Sequence, residues 1–413
     1  MGYSRCMIHR AAGGLLEHVL RLRAGLGRSE ALRQRLALDG AGPAEIWIHG
    51  ASVGELTSAR PVIEALAATH RVLVTANSLT GRDRAAGWGL PARLAPLDLP
   101  GALARFLDQV QPRLQITVEA EFWPLRSWAL ARRAIPQAVI GARMSERSAR
   151  RWARLPGLIG PVLGRLAALS AQDRDSEGRL GALGVPAGAI LPRLDLKLLT
   201  PAGIAPPPPS ADRDRTLLAA STHEGEEAAV LDAWALARRR RPDLRLILAI
   251  RHPQRGDAVS ALLAQRRIAH GRRSRGAAGG EVLLADTLGE MERWYGEAGL
   301  CFVGGSLADR GGHTPWEPAA HGCAILHGPH IGNFREAYAT LDAAGAAVAV
   351  DAGSLAGQLA GLADEPARAR QMGQAARLVL DDRAGDPAAL IAHLRELAGP
   401  PDRSDIGGEG RGS

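Results

Sequence analysis

From residue 45 onward, short apolar runs alternate with longer amphipathic stretches. In the first half the runs fall at 46–49, 72–75, 94–96, 114–118, 138–140 and 168–171. In the second half they fall at 216–219, 246–250, 282–284, 300–303, 324–327 and 347–350. Continuous apolar runs, with helical periodicity between them, are the pattern of parallel strands covered on both faces. The alternation occurs twice, which predicts an α/β protein of two Rossmann-like domains whose parallel sheets face each other across a cleft. A length of 413 residues agrees, because single cores stop growing beyond about 250 to 300 residues. In open parallel sheets ligands gather at the carboxyl ends of the strands. The strand-to-helix loops are therefore where function is sought.

Residues 200–212 break the pattern. Their four consecutive prolines, Pro206 to Pro209, cannot sit inside a helix or a central strand, so the stretch reads as a Pro-rich linker. This gives a basic amphipathic segment over 1–40, a first Rossmann-like domain over 41–199, a second over 213–399 and a disordered Gly, Arg and Ser tail over 400–413. Within the first segment, Leu15, Leu16, Val19, Leu20 and Leu26 share one side of a helix, with arginines elsewhere. Such a face suits an anionic membrane surface or packing on the domain equally well. No stretch reaches the ~20 apolar residues of a membrane span, and Arg10, Glu17, His18, Arg21 and Arg23 argue against a signal peptide.

The net charge of +8 favours acidic partners: nucleotides, phosphorylated lipids, an anionic membrane or nucleic acid. Aromatic residues make up only 4% of the chain, and no basic stripe is interleaved with them, which argues against nucleic acid. Lys197 is the only lysine, so the positive charge is almost all arginine. Cys6, Cys301 and Cys323 are odd in number and lack metal spacing. They fit a reducing compartment and suggest neither a disulfide framework nor a zinc site.

Candidate chemistry concentrates in 302–334. Gly304-Gly305-Ser306 ends an apolar run, and Gly311-Gly312 precedes His313-Thr314-Pro315-Trp316-Glu317, with Pro315 expected at the first position of a helix. Glycines let bare backbone N–H groups approach an anion. A tight turn followed by an ordinary helix start accounts for the same residues. Five loops fit or approximate a capping box: Ser52-x-x-Glu55, Ser221-x-x-Glu224, Thr287-x-x-Glu290, Thr314-x-x-Glu317 and Asn333-x-x-Glu336. Spacing alone therefore does not single out a reactive glutamate.

The sequence around those loops is more specific. His49-Gly50-Ala51-Ser52-Val53-Gly54-Glu55, Glu119-Ala120-Glu121-Phe122-Trp123-Pro124, Ala142-Arg143-Met144-Ser145-Glu146-Arg147-Ser148, Ser221-Thr222-His223-Glu224-Gly225-Glu226, Arg251-His252-Pro253 and the 302–334 stretch occur in one order across both halves. Together they resemble the transferases of 3-deoxy-D-manno-octulosonic acid (Kdo), which move that sugar from CMP-Kdo to a lipid A precursor.

The resemblance implies a GT-B fold, with acceptor on the N-terminal domain and nucleotide sugar on the C-terminal one. It implies inverting direct displacement with no metal and no cofactor, at the cytoplasmic face of the bacterial inner membrane. By the same resemblance Glu55 is the general base, and Ser52, Gly54, Glu119, Glu121, Arg143 and Ser145 lie on the acceptor side. Ser221, Arg251, Gly304, Gly305, Ser306, Gly311, Gly312, His313, Glu317 and Asn333 are then nucleotide-sugar residues, with Glu317 on the ribose hydroxyls and Arg251 on the phosphate or the Kdo carboxylate. Lys197, in a block resembling the one before the family's linker, is a candidate anion contact. Two positions depart from the family pattern: Thr314 and Leu125 stand where asparagine is usual. Thr314 can still cap a helix. The competing readings are another GT-B glycosyltransferase, a nucleotide-sugar epimerase, or a non-enzymatic basic protein that binds anions or membranes.

Overall fold

Strand β1, Ile46–Gly50, is buried at every position, as an unbroken apolar run predicts for a central parallel strand. The computed structural model of the chain describes residues 17–22, 24 and 29–402. With β1 go β2 (Val72–Ala76), β3 (Ala92–Leu94), β4 (Leu114–Val118), β5 (Gln137–Ala142), β6 (Leu166–Ala171) and β7 (Ile190–Leu191). They form a wholly parallel sheet ordered β3-β2-β1-β4-β5-β6-β7.

The second sheet holds β8 (Thr216–Thr222), β9 (Arg245–Ile250), β10 (Gly271–Arg272), β11 (Val282–Ala285), β12 (Leu300–Val303), β13 (Ala324–His327) and β14 (Ala347–Ala349). It too is parallel, ordered β10-β11-β9-β8-β12-β13-β14. All twelve expected strands are found, β3 displaced toward the N-terminus from 94–96. The edge strands β7 and β10 were not expected.

In each sheet the strand order reverses direction once, between β1 and β4 in the first and between β8 and β12 in the second. Loops leaving the strands on either side of such a reversal diverge and open a crevice at their carboxyl ends. Those loops carry Ser52 to Glu55 and Glu119 to Glu121 in one unit, and Ser221 to Glu226 and Gly304 to Ser306 in the other.

The two units are residues 1–200 with 384–413, and residues 201–383. Two expected boundaries therefore move. The second domain does not run to 399, because the helix Pro387–Ala398 places Leu390, Leu394 and Ala398 in the core formed by Ile46, Ile63, Leu66 and Leu114 of the first unit. The Pro-rich tract belongs with the second unit. Pro206 to Pro209 line a pocket of the second unit with Arg213 and Leu300, and Arg377 donates to the carbonyls of Ala202 and Ile204. Proline lacks a donor but keeps its carbonyl, and Pro207 O accepts from Arg213 Nη1 at 3.5 Å.

The basic amphipathic segment lies partly outside the described residues. Where it is described one side is packed: the Glu17 carboxylate accepts from Gly101 N at 2.8 Å and Arg105 Nη2 at 2.6 Å, and Leu20 and Ala24 join Leu36, Leu99 and Ala102, while Val19 and Leu22 are exposed. Cys6 and the tail beyond Asp402 lie outside the described residues. No helix among the described residues is long and apolar enough to cross a membrane.

Candidate functional site

Glu55 stands in the first turn of the helix Val53–Ala67, which follows β1 directly. Ser52 is extended and caps this helix, its hydroxyl accepting from Glu55 N at 3.2 Å. The carboxylate reaches back: Oε2 accepts from Ala51 N at 2.7 Å and Oε1 from Ser52 Oγ at 3.1 Å. Both bonds, and the helix N-terminus, favour the ionised form. Burial outweighs them and pushes the Glu55 carboxyl above its usual range, with further upward pressure from the charges of Glu119 and Glu121. Gly54 is exposed, and a Cβ there would meet nothing nearer than Ser52 Oγ at 3.9 Å, so packing does not require a glycine.

Glu119 and Glu121 follow β4 across the reversal point. Glu119 has φ 61°, a left-handed conformation unusual for a non-glycine residue and commonly found where a site over-determines the backbone. Glu121 is held by three donors: His49 Nε2 at 2.9 Å, Trp123 Nε1 at 2.9 Å and Asn77 Nδ2 at 3.0 Å. Burial pushes its carboxyl up most, but the hydrogen bonds from His49, Trp123 and Asn77 prevail and bring it down to about 2. His49 is wholly buried, and burial lowers its pKa. A neutral imidazole needs one donor and one acceptor nitrogen. Because the Glu121 carboxylate beside Nε2 only accepts, the proton belongs on Nε2, and Nδ1 faces Thr75 Oγ1 at 3.0 Å, which itself accepts from Trp47 Nε1 at 2.8 Å. His49 was not among the expected site residues, although it opens the block that contains Glu55.

His49 and Asn77 join Arg35, Asp98, Trp123 and Arg126 around a cavity of about 320 Å³ in this unit. Asp98 accepts from Leu125 N at 3.2 Å and Arg126 N at 2.7 Å, and so caps the helix Pro124–Ala131. Leu125, in the asparagine position, packs with its side chain against the Trp47 and Phe106 cluster. Lys197 Nζ lies 3.9 Å from Glu119 Oε1 and is half exposed. Ser145 caps the helix Glu146–Ala153, and Arg143 is exposed beside it.

In the second unit Ser221 has φ 55°, at a slip in the β8 to β9 register. Its carbonyl meets the β12 loop closely: a Cβ on Gly304 would lie 2.5 Å from Ser221 O and 2.8 Å from Ala220 O, both backbone atoms. Gly304→Ala should therefore cost about 1 to 3 kcal/mol, the usual range for overpacking. Chemical denaturation monitored at the tryptophans checks this, and an unchanged midpoint would contradict the close approach.

The turn expected to cradle an anion already holds one. Glu226, 1% exposed, opens the helix Glu226–Arg238. Its Oε1 accepts from Ser306 N at 2.9 Å, Leu307 N at 2.8 Å and Ala308 N at 3.2 Å. Its Oε2 accepts from Gly305 N at 2.7 Å and His223 N at 2.9 Å. The amides of Gly305 and Ser306, which could approach an external anion, are thus already paired with Glu226, and Ser306 is itself fully buried. The turn instead presents His313. Gly312 N donates to Gly305 O at 2.8 Å and His313 N to Gly304 O at 3.2 Å, with Gly311 and Gly312 at φ 81° and 74°. Asn333 clamps that turn, Nδ2 donating to Arg310 O at 3.2 Å.

His313 stacks on His223, ring centroids 5.2 Å apart and Nε2 atoms 3.0 Å apart, while His252 meets His223 edge-on at 5.4 Å. Burial, with the neighbouring histidines and Arg251, lowers the His313 pKa; burial, with His252, Arg310 and Arg251, lowers that of His223. The result is a cluster of imidazoles and guanidiniums beside the β8 and β12 loops. Glu317 is exposed in the first turn of the short helix Trp316–Ala320.

Of the five expected capping boxes only Ser52 with Glu55 is close to one. The helix after β8 starts at Glu226 with Gly225 at its cap, leaving Ser221 and Glu224 outside it. Glu290 is itself at the cap position and pairs with Arg273 at 2.7 Å. Pro315, not Thr314, precedes Trp316–Ala320; Thr314 Oγ1 does accept from Trp316 N at 3.3 Å, but two residues on rather than three, so its box with Glu317 does not form. Asn333 lies inside the short turn Gly332–Phe334. A cap residue must be extended immediately before the first helical turn, and four-residue spacing does not ensure that.

Two doubly wound units, each with its polar loops at a reversal point, define a protein of the GT-B fold. That fold is also seen in the crystal structure of UDP-GlcNAc 2-epimerase from Neisseria meningitidis bound to UDP-GlcNAc, which matches 84% of this chain and 98% of its own with a TM-score of 0.54 at 13% identity. Residues 22–200 match the family described as 3-Deoxy-D-manno-octulosonic-acid transferase (kdotransferase). The 3-deoxy-D-manno-octulosonic acid transferase of Bordetella pertussis is 34% identical over 86% of this chain and 88% of its own. That of Haemophilus influenzae is 34% identical over 72% and 74%. The chain belongs to the Kdo transferase family and is a glycosyltransferase.

Proposed function

We propose that this enzyme transfers Kdo from CMP-Kdo to a hydroxyl of a lipid A precursor, by inverting displacement with Glu55 as general base. The observation that carries the reading is the Glu55 carboxyl itself: half-buried, pushed upward by burial and by two neighbouring carboxylates, and placed at the mouth of a reversal point. A base raised toward working pH accepts a proton more readily than a solvated carboxylate does. As the acceptor oxygen attacks the anomeric carbon of Kdo, its proton passes to Glu55. The bond from that carbon to the phosphate oxygen breaks, and CMP leaves with the electron pair.

Charge on the departing phosphate is met by Arg251, Arg310 and the histidines, since guanidinium and imidazole groups aimed at developing negative charge lower its cost. Glu317 takes the ribose hydroxyls. No metal or other cofactor enters the proposal.

The acceptor is an anionic lipid, and the first unit offers a surface suited to its membrane. The helix Glu146–Ala153 carries Arg147, Arg150 and Arg151, and exposed Leu155 and Leu158 follow it. Basic residues flanking exposed apolar ones favour peripheral attachment to anionic lipid, here the cytoplasmic face of the inner membrane.

Incubation of the purified protein with CMP-Kdo and a tetraacylated lipid A precursor, followed by mass analysis of the lipid, tests the reading. Lipid heavier by whole Kdo residues, with matching release of CMP, is expected. Release of CMP with unmodified lipid would overturn the acceptor assignment.

A further inference from the structure

Glu226 is a buried carboxylate to which the proposed reaction gives no role, and its surroundings are unusual. A carboxylate offers about four lone-pair sites on its two oxygens, and five backbone N–H groups converge on this one. Successive backbone N–H groups in a turn form a nest that ordinarily receives a phosphate or another external anion. Here the side chain supplies the anion, from 79 residues earlier in the chain than Gly305.

Two consequences follow. The amides after β12 are spent, so the donor's phosphate is read by Arg251, Arg310 and His313. In addition, one carboxylate joins two loops that flank the reversal point: His223 N belongs to the loop after β8, and Gly305 to Ala308 belong to the loop after β12. The placement of Gly304 and Gly305 passes to His313 through the bonds from His313 N to Gly304 O and Gly312 N to Gly305 O. His313 is then held 3.0 Å from His223, whose own backbone Glu226 also holds.

We infer that Glu226 is a positioning residue for the donor site: its carboxylate fills the amide nest of Gly305 to Ala308 as a built-in anion and sets His313 and His223 in register to receive the donor's phosphate. This rests on the assignment of the donor to the second unit. Glutamine at 226 is nearly isosteric, yet its NH2 group must face N–H donors whichever way the amide is turned. The loop then loses either the three bonds to Oε1 or the two to Oε2.

The test uses the full chain with CMP-Kdo and lipid acceptor. Glu226→Gln is expected to raise KM for CMP-Kdo at least tenfold and to leave KM for the acceptor within twofold. Its kcat at saturating donor should fall as well, because the same histidines meet the charge that develops on the departing phosphate. Backbone amide exchange across 304–309 is expected to accelerate at least tenfold, with exchange in the first unit unchanged. A rise in donor KM below tenfold, or equal loss toward both substrates, overturns the inference. Arg251→Ala, measured alongside, separates the two readings. If it too leaves donor KM unchanged, the placement of the donor fails. If it raises donor KM while Glu226→Gln does not, only the role of Glu226 fails. Should Glu226→Gln not fold, the parent protein decides, because amides 305–308 exchanging as fast as those of an exposed loop would show that no internal anion holds them.

Discussion

Glu55→Gln is expected to reduce transfer by roughly 10² to 10⁴, the usual contribution of a general base, in a protein at least as stable as the parent at neutral pH. The two halves of that expectation share one physical origin. Glutamine retains a carbonyl oxygen for Ala51 N and so keeps most of the local bonding. The folded-state pKa of Glu55 is raised above its unfolded value, so its ionised form costs stability above the unfolded pKa, and the cost fades as the group protonates at lower pH. Glutamine removes that cost at neutral pH. The parent's kcat/KM should fall on the acid side with an apparent pKa above the ordinary carboxylate value of 4.5, and a pH profile measures this directly. Transfer within tenfold of the parent by the variant would remove Glu55 as the base.

Glu121→Ala should show the opposite balance. Its carboxylate is the shared acceptor of His49, Asn77 and Trp123, and His49 is buried at 1% exposure. Each buried donor left without a partner costs about 1 to 3 kcal/mol, so urea unfolding at pH 7 should show a clear loss. The folded pKa here is depressed. The stabilisation is therefore present above the unfolded value near 4.5 and disappears as pH falls from there toward about 2. The parent should lose stability across that window and the variant much less. Because Glu121 also pushes Glu55 upward, the acid limb of the variant's transfer profile should shift to lower pH. An unmoved limb would show that the two carboxylates do not communicate.

Continuous apolar runs announced every long strand, because a strand covered on both faces leaves no polar position to blur the pattern. The edge strands Ile190–Leu191 and Gly271–Arg272 pair over two residues only, too few to register as a run. Glu55 could be singled out as a candidate through the residues around it, whereas its raised pKa could not, since burial, the main cause, is set by tertiary packing, and the charges of Glu119 and Glu121 only add to it. His49 reads as one more residue of an apolar strand until Thr75 and Glu121 are seen on its two nitrogens. Glu226 looked like an ordinary acidic residue at a helix start. Only the tertiary structure brings the loop after β12 onto it. The glycine turn suggested backbone N–H groups free to meet an anion, but not that Glu226 meets those of Gly305 to Ala308, because backbone donors carry no mark of which acceptor they have found.

The helix Pro387–Ala398 has a bearing on how the protein is made. Leu390 and Leu394 lie against the core that includes Ile63 and Leu66, and Arg395 donates to Ala65 O at 2.6 Å. Translation completes all seven strands of the first sheet before it begins the second unit, and this helix comes only after that unit is finished. At about 5 to 20 residues per second, the apolar side of Val53–Ala67 waits roughly 17 to 66 s for the helix that covers it. The unit synthesised first is therefore the last to close, and nascent chains stalled between residues 200 and 383 should bind chaperones through that uncovered face, whereas released full-length chains should not.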